Sequence, residues 1–296
     1  MPNDAHCHFF STGFFTQLAL QRGRGQTPGE LCAELGWEDP HTPEDLSDRW
    51  VRELDDLGVG RAALIASVPG DESSVASAVA RHPSRLVGFF MVNAAADDAT
   101  ARTHAALRDH RLKTVCLFPA MHHVPLDDPR TLAVVQEAAD QGAAVFVHCG
   151  ALSIGVRKKL GLPSPFDLRL GDPLAVARLA GRFPGTPFIV PHFGAGLLRE
   201  TLMAADVCPN IHVDTSSSNG WIRYQPGLTL PAVFAATLAV TGPSRVLFGT
   251  DSSFFPRGWQ RPVFEQQSAA LDQAGVSDAD RALILGGNFD RLFGGL

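Results

Sequence analysis

The chain has 296 residues, of which 45% are hydrophobic and 19% charged, and its formal net charge is −6. This composition excludes a disordered chain, and the negative charge argues against a nucleic-acid partner. Because no run of 18 apolar residues occurs and the first residues lack a signal-peptide pattern, we expect neither a membrane span nor secretion. Five widely spread cysteines are typical of reduced thiols in a cytoplasmic protein.

Short apolar segments alternate with segments of helical spacing along the whole chain. The predicted strands are residues 2–8, 61–67, 86–92, 114–118, 143–148, 187–192, 211–214 and 245–251. The predicted helices are residues 43–57, 72–81, 99–108, 131–141, 173–183, 197–205, 231–240 and 261–274. Eight such units predict a (β/α)8 TIM barrel, an α/β fold, as a single domain over residues 1–296. A doubly wound open sheet is the alternative, although no GxGxxG follows the first strand.

The loops of this predicted barrel differ in length at its two ends. Long segments follow strands one, five, seven and eight, at residues 9–42, 149–172, 215–230 and 252–260. The connections from helix back to strand are short. Because the active sites of such barrels lie at the carboxyl ends of the strands, we expect the functional site there.

Polar residues end several of these apolar strands. His6 and His8 end the first strand, His148 the fifth, His192 the sixth and Asp251 the eighth. Residues two apart in a strand point to the same side, so His6 and His8 are predicted to project together. With His148 and Asp251 they form a set of three nitrogens and one oxygen that suits Zn²⁺, with Mn²⁺, Fe²⁺ or Co²⁺ as alternatives.

Together with these residues, the segments DAHCH, DLGVGRAALIA, VFVHCG, PHFGAG, RVLFGTD and ILGGNFDRLF resemble the amidohydrolase superfamily. The closest resemblance is to the amidohydrolase-related branch that includes aminocarboxymuconate-semialdehyde decarboxylase, lactonases and aromatic decarboxylases. It implies that His6, His8, His148 and Asp251 are metal ligands and that His192 acts as acid or base. It also implies that Asp251 helps to accept a proton, and that the protein forms a homodimer.

The position of lysine in the sequence indicates how many metal ions to expect. Binuclear members of the superfamily bridge two metals with a modified lysine at the end of strand four. Here Phe118 and Pro119 occupy that position, and Lys113 lies at the start of the strand. We therefore expect one divalent ion. The chain departs from its decarboxylase relatives after Asp251, which leaves the reaction type open.

Candidate substrate-binding residues lie in the long loops. Arg157 and Lys158 follow strand five, Arg223 and Tyr224 follow strand seven, and each pair is predicted either to bind a substrate carboxylate or to be a solvated surface. Asp214 ends strand seven, where it is predicted either to orient a ligand or to cap a turn.

The expected function is hydrolysis of a small cyclic or acyl substrate, such as a lactone or amide, by metal-activated water. The alternative is non-oxidative decarboxylation of an aromatic or unsaturated acid by the same residues. A remote alternative is a metal-binding barrel without catalytic activity. We expect a small-molecule partner, with anionic or aromatic compounds as the candidates, and neither a nucleic acid nor a membrane.

Overall fold

The computed structural model describes residues 1–294, which form one parallel β-barrel surrounded by helices. Its strands lie in chain order around the barrel. They are β1 (Asn3–Phe9), β2 (Arg61–Ala66), β3 (Leu86–Val92), β4 (Thr114–Leu117), β5 (Ala144–Val147), β6 (Phe188–Val190), β7 (Ile211–Asp214) and β8 (Val246–Leu247). The predicted TIM barrel is confirmed, and the open sheet is not what forms.

Helices occupy every connection between the strands. They are α1 (Thr12–Arg22), α2 (Pro28–Leu35), α3 (Pro43–Asp56), α4 (Glu72–Arg81), α5 (Ala99–Arg108), α6 (Pro119–His122), α7 (Pro129–Asp140), α8 (Gly155–Lys159), α9 (Pro173–Arg182), α10 (Leu198–Val207), α11 (Leu230–Thr241), α12 (Arg261–Gln273), α13 (Asp278–Ala282) and α14 (Asn288–Phe293). The eight predicted helices are present with small differences at their ends. Within residues 1–294 no helix is long and apolar enough to cross a membrane.

Two apolar layers hold the barrel together. The interior layer includes Phe89, Phe146 and Leu247, and Phe289 and Phe293 of α14 pack against it. The outer layer lies between strands and helices and is centred on fully buried side chains such as Trp50. Because these side chains are withdrawn from water on both faces of the sheet, their burial accounts for the continuously apolar strands.

The seam between β8 and β1 closes the barrel without a regular ladder. Backbone N–H groups of Ala5, His8 and Asp251 donate to carbonyls of Phe248 (2.9 Å), Ser252 (2.7 Å) and His6 (2.9 Å). The pairing of β1 with β2 shifts between Asp4 and Cys7, where β1 contains one extra residue, a β-bulge. His6 and His8 therefore lie next to Asp251 along this seam.

Two predicted strands end earlier than expected, and the reason lies in the backbone. Strand β6 stops at Val190 and β8 at Leu247, whereas the predictions extended to His192 and Asp251. Both residues have left-handed conformations, with φ of 56° for His192 and 60° for Asp251. A left-handed residue cannot continue a strand, so neither strand can extend through its predicted last residue.

Candidate metal centre

Three predicted metal-ligating side chains come together at the mouth of the barrel. Nε2 of His6 and Nε2 of His8 are 3.4 Å apart. Oδ1 of Asp251 lies 3.2 Å from Nε2 of His8 and 3.8 Å from Nε2 of His6. These donor atoms lie within 4.8 Å of one another, and among residues 1–294 they form the cluster able to hold a metal ion.

The partners of the other ring nitrogens determine which nitrogen of each histidine is free. Nδ1 of His6 donates to Oδ2 of Asp214 at 2.7 Å. Nδ1 of His8 lies 2.8 Å from Oγ of Ser67, whose own proton goes to the carbonyl of Ile65 at 2.9 Å. A hydroxyl has one proton, so Nδ1 of His8 must donate to it. Both Nε2 atoms therefore present lone pairs to the cluster.

Two nitrogen lone pairs and a carboxylate oxygen facing each other at these distances call for a positive charge between them. A tetrahedral site with metal–ligand bonds of about 2.05 Å has edges of about 3.3–3.4 Å. The three separations of 3.2, 3.4 and 3.8 Å bracket that value. Ligating histidines commonly donate their second nitrogen to a carboxylate or a hydroxyl, as His6 and His8 do. The residues present fit a divalent ion.

His148, the fourth predicted ligand, lies outside this three-residue cluster. Its ring stacks on Phe118 at 5.3 Å between centroids and lies 5.3 Å from the ring of His192. Its Nδ1 is buried and has no hydrogen-bond partner within residues 1–294. Burial, followed by the charges of His192 and His6, holds the pKa of His148 well below its ordinary value. A neutral imidazole with an unused nitrogen is what a metal ligand requires.

His192 lies next to the cluster, with its ring 5.0 Å from that of His6. Its Nδ1 is 2.9 Å from Oγ and 3.2 Å from the carbonyl oxygen of Ser216. The carbonyl accepts a proton from Nδ1, whereas the hydroxyl can donate one to it, so both tautomers of His192 have a partner. Burial, followed by the charge of His6, lowers the pKa of His192.

Asp214 both orients a predicted ligand and caps a turn. Its carboxylate is fully buried; Oδ2 accepts from His6, and Oδ1 accepts from the backbone N–H of Ser216 at 2.6 Å. Burial alone would raise its pKa, but the charge and hydrogen bond of His6 outweigh burial and lower it. Gly249 lies against this pair, since a Cβ there would approach Cβ of His6 to 2.9 Å. A larger residue at position 249 would displace His6.

The pKa values of two other predicted ligands, His6 and Asp251, depend on the same contacts. Burial lowers the pKa of His6, but the charge of Asp214 and its hydrogen bond outweigh burial, so that the pKa is raised. Burial raises the pKa of Asp251, but the nearby imidazoles of His8, His6 and His192 reverse this effect and hold the pKa below its ordinary value. Asp251 is therefore ionised at neutral pH.

Sequence reasoning missed three residues that support this site. Ser67 and Ser216 position His8 and His192, as described above. Asp4 is fully buried and accepts from the backbone N–H of His6 (2.9 Å) and from Nε1 of Trp259 (2.7 Å). A carboxylate two residues before His6 at the start of an apolar strand was the available signal for Asp4; no comparable signal marked the serines.

The predicted substrate-binding residues are spread over the surface of the loops. Arg157 donates to the carbonyl of Pro163, and Lys158 is exposed. Arg223 is exposed, with its guanidinium carbon 5.4 Å from the ring centroid of Tyr224, which is itself 54% exposed. None of these four contacts the cluster of His6, His8 and Asp251 in the structure of residues 1–294.

Aromatic side chains from the loops after β1 and β8 form one wall of the mouth. Phe10 lies 5.8 Å from the ring of His8 and stacks on Phe14 at 3.9 Å. Trp37 stacks on Phe254 at 3.8 Å and lies 6.1 Å from Phe10. We call Phe10, Phe14, Trp37 and Phe254 the aromatic wall. It places an apolar cluster beside the ring of His8.

Comparisons with known proteins agree with this fold. The profile of the amidohydrolase family matches residues 4–295. No curated protein sequence matches the chain.

Three solved structures illustrate the likeness of fold. The chain is 16% identical to 5-carboxyvanillate decarboxylase from Sphingomonas paucimobilis, with a TM-score of 0.67 over 99% of this chain and 98% of the other. It is 14% identical to a probable 2-pyrone-4,6-dicarboxylic acid hydrolase from Acinetobacter baumannii with bound citric acid, with a TM-score of 0.62 over 99% of each. It is 16% identical to a dihydroxybenzoic acid decarboxylase from Polaromonas sp. JS666 with bound manganese and 2-nitroresorcinol, with a TM-score of 0.66 over 99% and 97%. At these identities the likeness shows the fold, whereas the family match extends over nearly the whole sequence. The chain belongs to the amidohydrolase family.

Proposed function

We propose that this protein is a hydrolase that uses one divalent metal ion and water to open a lactone, amide or similar acyl bond of a small molecule. The observation that carries the proposal is the cluster of unpaired acceptors, Nε2 of His6, Nε2 of His8 and Oδ1 of Asp251, beside the neutral His192. A bound divalent ion lowers the pKa of water from 15.7 to about 7 and so supplies a nucleophile at neutral pH.

In this proposal His6, His8 and Asp251 hold the ion. His148 is the fourth ligand, because its buried Nδ1 has no hydrogen-bond partner within residues 1–294. Three nitrogens and one oxygen favour Zn²⁺, and Mn²⁺, Fe²⁺ and Co²⁺ are the alternatives. Manganese bound to the Polaromonas relative supports a divalent ion.

His192 is the proposed acid–base residue. Its Nδ1 has both an acceptor and a donor within reach on Ser216, so the proton on the ring can move between nitrogens without breaking the site. Asp251, ionised and in contact with His8, assists as a proton acceptor. Asp214, predicted as a substrate contact or an orienting residue, acts here as the orienting residue for His6.

Decarboxylation of an aromatic acid is the second candidate. Two observations favour it: the aromatic wall that leads to His8, and the decarboxylases of 5-carboxyvanillate and dihydroxybenzoic acid among the structural relatives. The same residues serve either reaction, since hydrolysis requires a proton acceptor for water and decarboxylation requires a proton donor to carbon.

A substrate panel in ¹⁸O-labelled water separates the two reactions. The panel contains simple lactones and amides, 2-pyrone-4,6-dicarboxylic acid, 2,6-dihydroxybenzoate and 5-carboxyvanillate. We expect ¹⁸O in the product without release of carbon dioxide; carbon dioxide release without ¹⁸O uptake would establish the second candidate instead. His192→Gln should lower kcat by about 10²–10⁴-fold in either case.

Metal analysis tests the site independently of any substrate. Protein purified without chelators should contain about one equivalent of divalent metal, and His148→Ala should lose most of it. The matched control is His110→Ala, because His110 is exposed and belongs to no site. Absence of metal from the unaltered protein, with no rebinding on addition of Zn²⁺, would contradict the proposal.

A cytoplasmic location and a homodimer stay predictions. The five cysteines are all free and buried, which supports a reducing compartment. Sedimentation of the purified protein would decide between monomer and dimer.

A further inference from the structure

We propose that Arg257, on the loop that follows Asp251, is the residue that binds a carboxylate of the substrate and so selects anionic substrates. The inference rests on the proposed function, because it concerns substrates of the same site.

The first observation is how Arg257 is held. Its guanidinium carbon lies 4.4 Å from the ring centroid of Phe254, and Nη2 donates to Oγ of Ser253 at 2.7 Å. Trp37 stacks on Phe254 at 3.8 Å, so the guanidinium covers the other face of that ring. Ser253 and Phe254 immediately follow Ser252, which pairs with β1 beside Cys7. The guanidinium is therefore fixed at the end of the aromatic wall.

The second observation is that Arg257 is not neutralised. Within residues 1–294 no carboxylate oxygen lies within 4.0 Å of it, and its contacts are to a hydroxyl and a ring. Most of its five N–H donors remain available in a planar fork, which matches the geometry of a carboxylate. Arg257 is exposed at the surface. Partial burial of its guanidinium lowers its pKa, whereas the charge of Asp251 acts in the opposite direction.

The other predicted cations are used differently. Arg157 donates to the carbonyl of Pro163, and Arg223 lies over the exposed Tyr224. Lys159 shares the aromatic wall, with Nζ 5.4 Å from the centroid of Trp37 and 6.0 Å from that of Phe254. Lys159 therefore adds positive charge on the same side of the mouth, while Arg257 has the donors to bind a carboxylate.

The test compares benzoate with benzamide, which has the same ring and shape without the charge. Binding of each probe to the Zn²⁺-loaded protein is measured by calorimetry. We expect benzoate to bind roughly tenfold more tightly than benzamide, the value of one or two charge-assisted hydrogen bonds in a partly exposed site. Arg257→Met should remove that preference, and Arg257→Lys should keep part of it. Arg261→Met is the matched control, since Arg261 is exposed and paired with Glu265.

The outcomes distinguish this proposal from the proposed function. Retention of the benzoate preference by Arg257→Met would overturn the role of Arg257, because the metal or another cation would then bind the carboxylate. The absence of any preference in the unaltered protein would overturn it as well, because no cation would then select the charge of benzoate. Both results are read as binding constants in protein whose zinc content has been measured. If the enzyme turns over neither lactones nor acids, the binding constants of benzoate and benzamide still decide the role of Arg257. Loss of zinc from the protein would contradict the proposed function.

Discussion

Replacing Asp214 by Asn tests whether the buried carboxylate behind His6 sets the affinity of the metal site. Asp214 offers two acceptor oxygens to two donors, Nδ1 of His6 at 2.7 Å and the backbone N–H of Ser216 at 2.6 Å. Asparagine has one oxygen and one amide group, so one of the two donors must face another donor. The change keeps the size of the side chain and removes one acceptor and a charge.

Either response of the site weakens metal binding. If the amide group faces Ser216, one buried N–H group loses its partner, at a cost of about 1–3 kcal/mol. If the amide group faces His6, it favours the tautomer with a lone pair on Nδ1 and a proton on Nε2, which then points at His8 and Asp251. Oγ of Ser216, 2.9 Å from Nδ1, is then the other partner of that nitrogen. A protonated nitrogen cannot bind a metal ion. Loss of such an orienting carboxylate typically lowers metal affinity about 10- to 100-fold.

The assay is competition for Zn²⁺ with a chelator of known affinity, combined with urea unfolding of the metal-free protein. We expect Asp214→Asn to raise the Kd for Zn²⁺ by about 10- to 100-fold. Asp56→Asn is the matched control, because Asp56 is exposed at the end of α3 and should leave the Kd unchanged. A folded Asp214→Asn protein with the original Kd would refute the reasoning, since His6 would then not depend on Asp214.

Two further predictions concern stability. Burial and the charge of Arg291 lower the pKa of His212 to about 4, below the ordinary 6.5, so the unfolded chain binds more protons between these values. The contribution of His212 to the free energy of unfolding should therefore fall by about 3 kcal/mol as the pH drops from 6.5 to 4, and the difference between the unaltered protein and His212→Leu should report this contribution in urea titrations. Trp259→Phe should cost about 1–3 kcal/mol more than Trp50→Phe, because Nε1 of Trp259 donates to Asp4 whereas the buried Nε1 of Trp50 has no partner within residues 1–294. Equal costs of the two substitutions in urea unfolding would contradict the value given to the bond between Trp259 and Asp4.

The residues of the site that could be predicted from the sequence are those at the ends of strands. His6, His8 and Asp251 end or follow apolar strands, and a closed parallel barrel brings such positions to one rim. The supporting serines could not be predicted, because Ser67 and Ser216 become partners of His8 and His192 only through the register of separate strands. A single hydroxyl in a loop has no periodicity that indicates its partner.

The loops were less predictable than the barrel for a related reason. Helices α1 and α2 lie within the long segment after β1 and are fixed by local caps, such as Thr27 with Glu30, and by packing on Trp37. Their apolar residues contact other loops rather than the sheet, so strand–helix alternation does not predict them. The loop after β8 brings Phe254 and Arg257 to the mouth, and the sequence alone could not rank Arg257 above Arg157 or Arg223.

The bulge in β1 explains how one strand serves both the barrel and the metal site. Ala5 packs in the barrel interior and Cys7 in the outer layer, so strict alternation from Ala5 would place His6 outside. The extra residue between Asp4 and Cys7 allows His6 to lie on the interior side, 5.1 Å from the ring of Phe146, while Asp4 remains on the outer side against Trp259. An irregularity that re-aims one side chain is a common feature beside active sites. The carboxylate of Asp4, which accepts from the backbone N–H of His6, holds the bulge in this form, and for this reason we expect Asp4 to matter for the metal site although it never faces the metal.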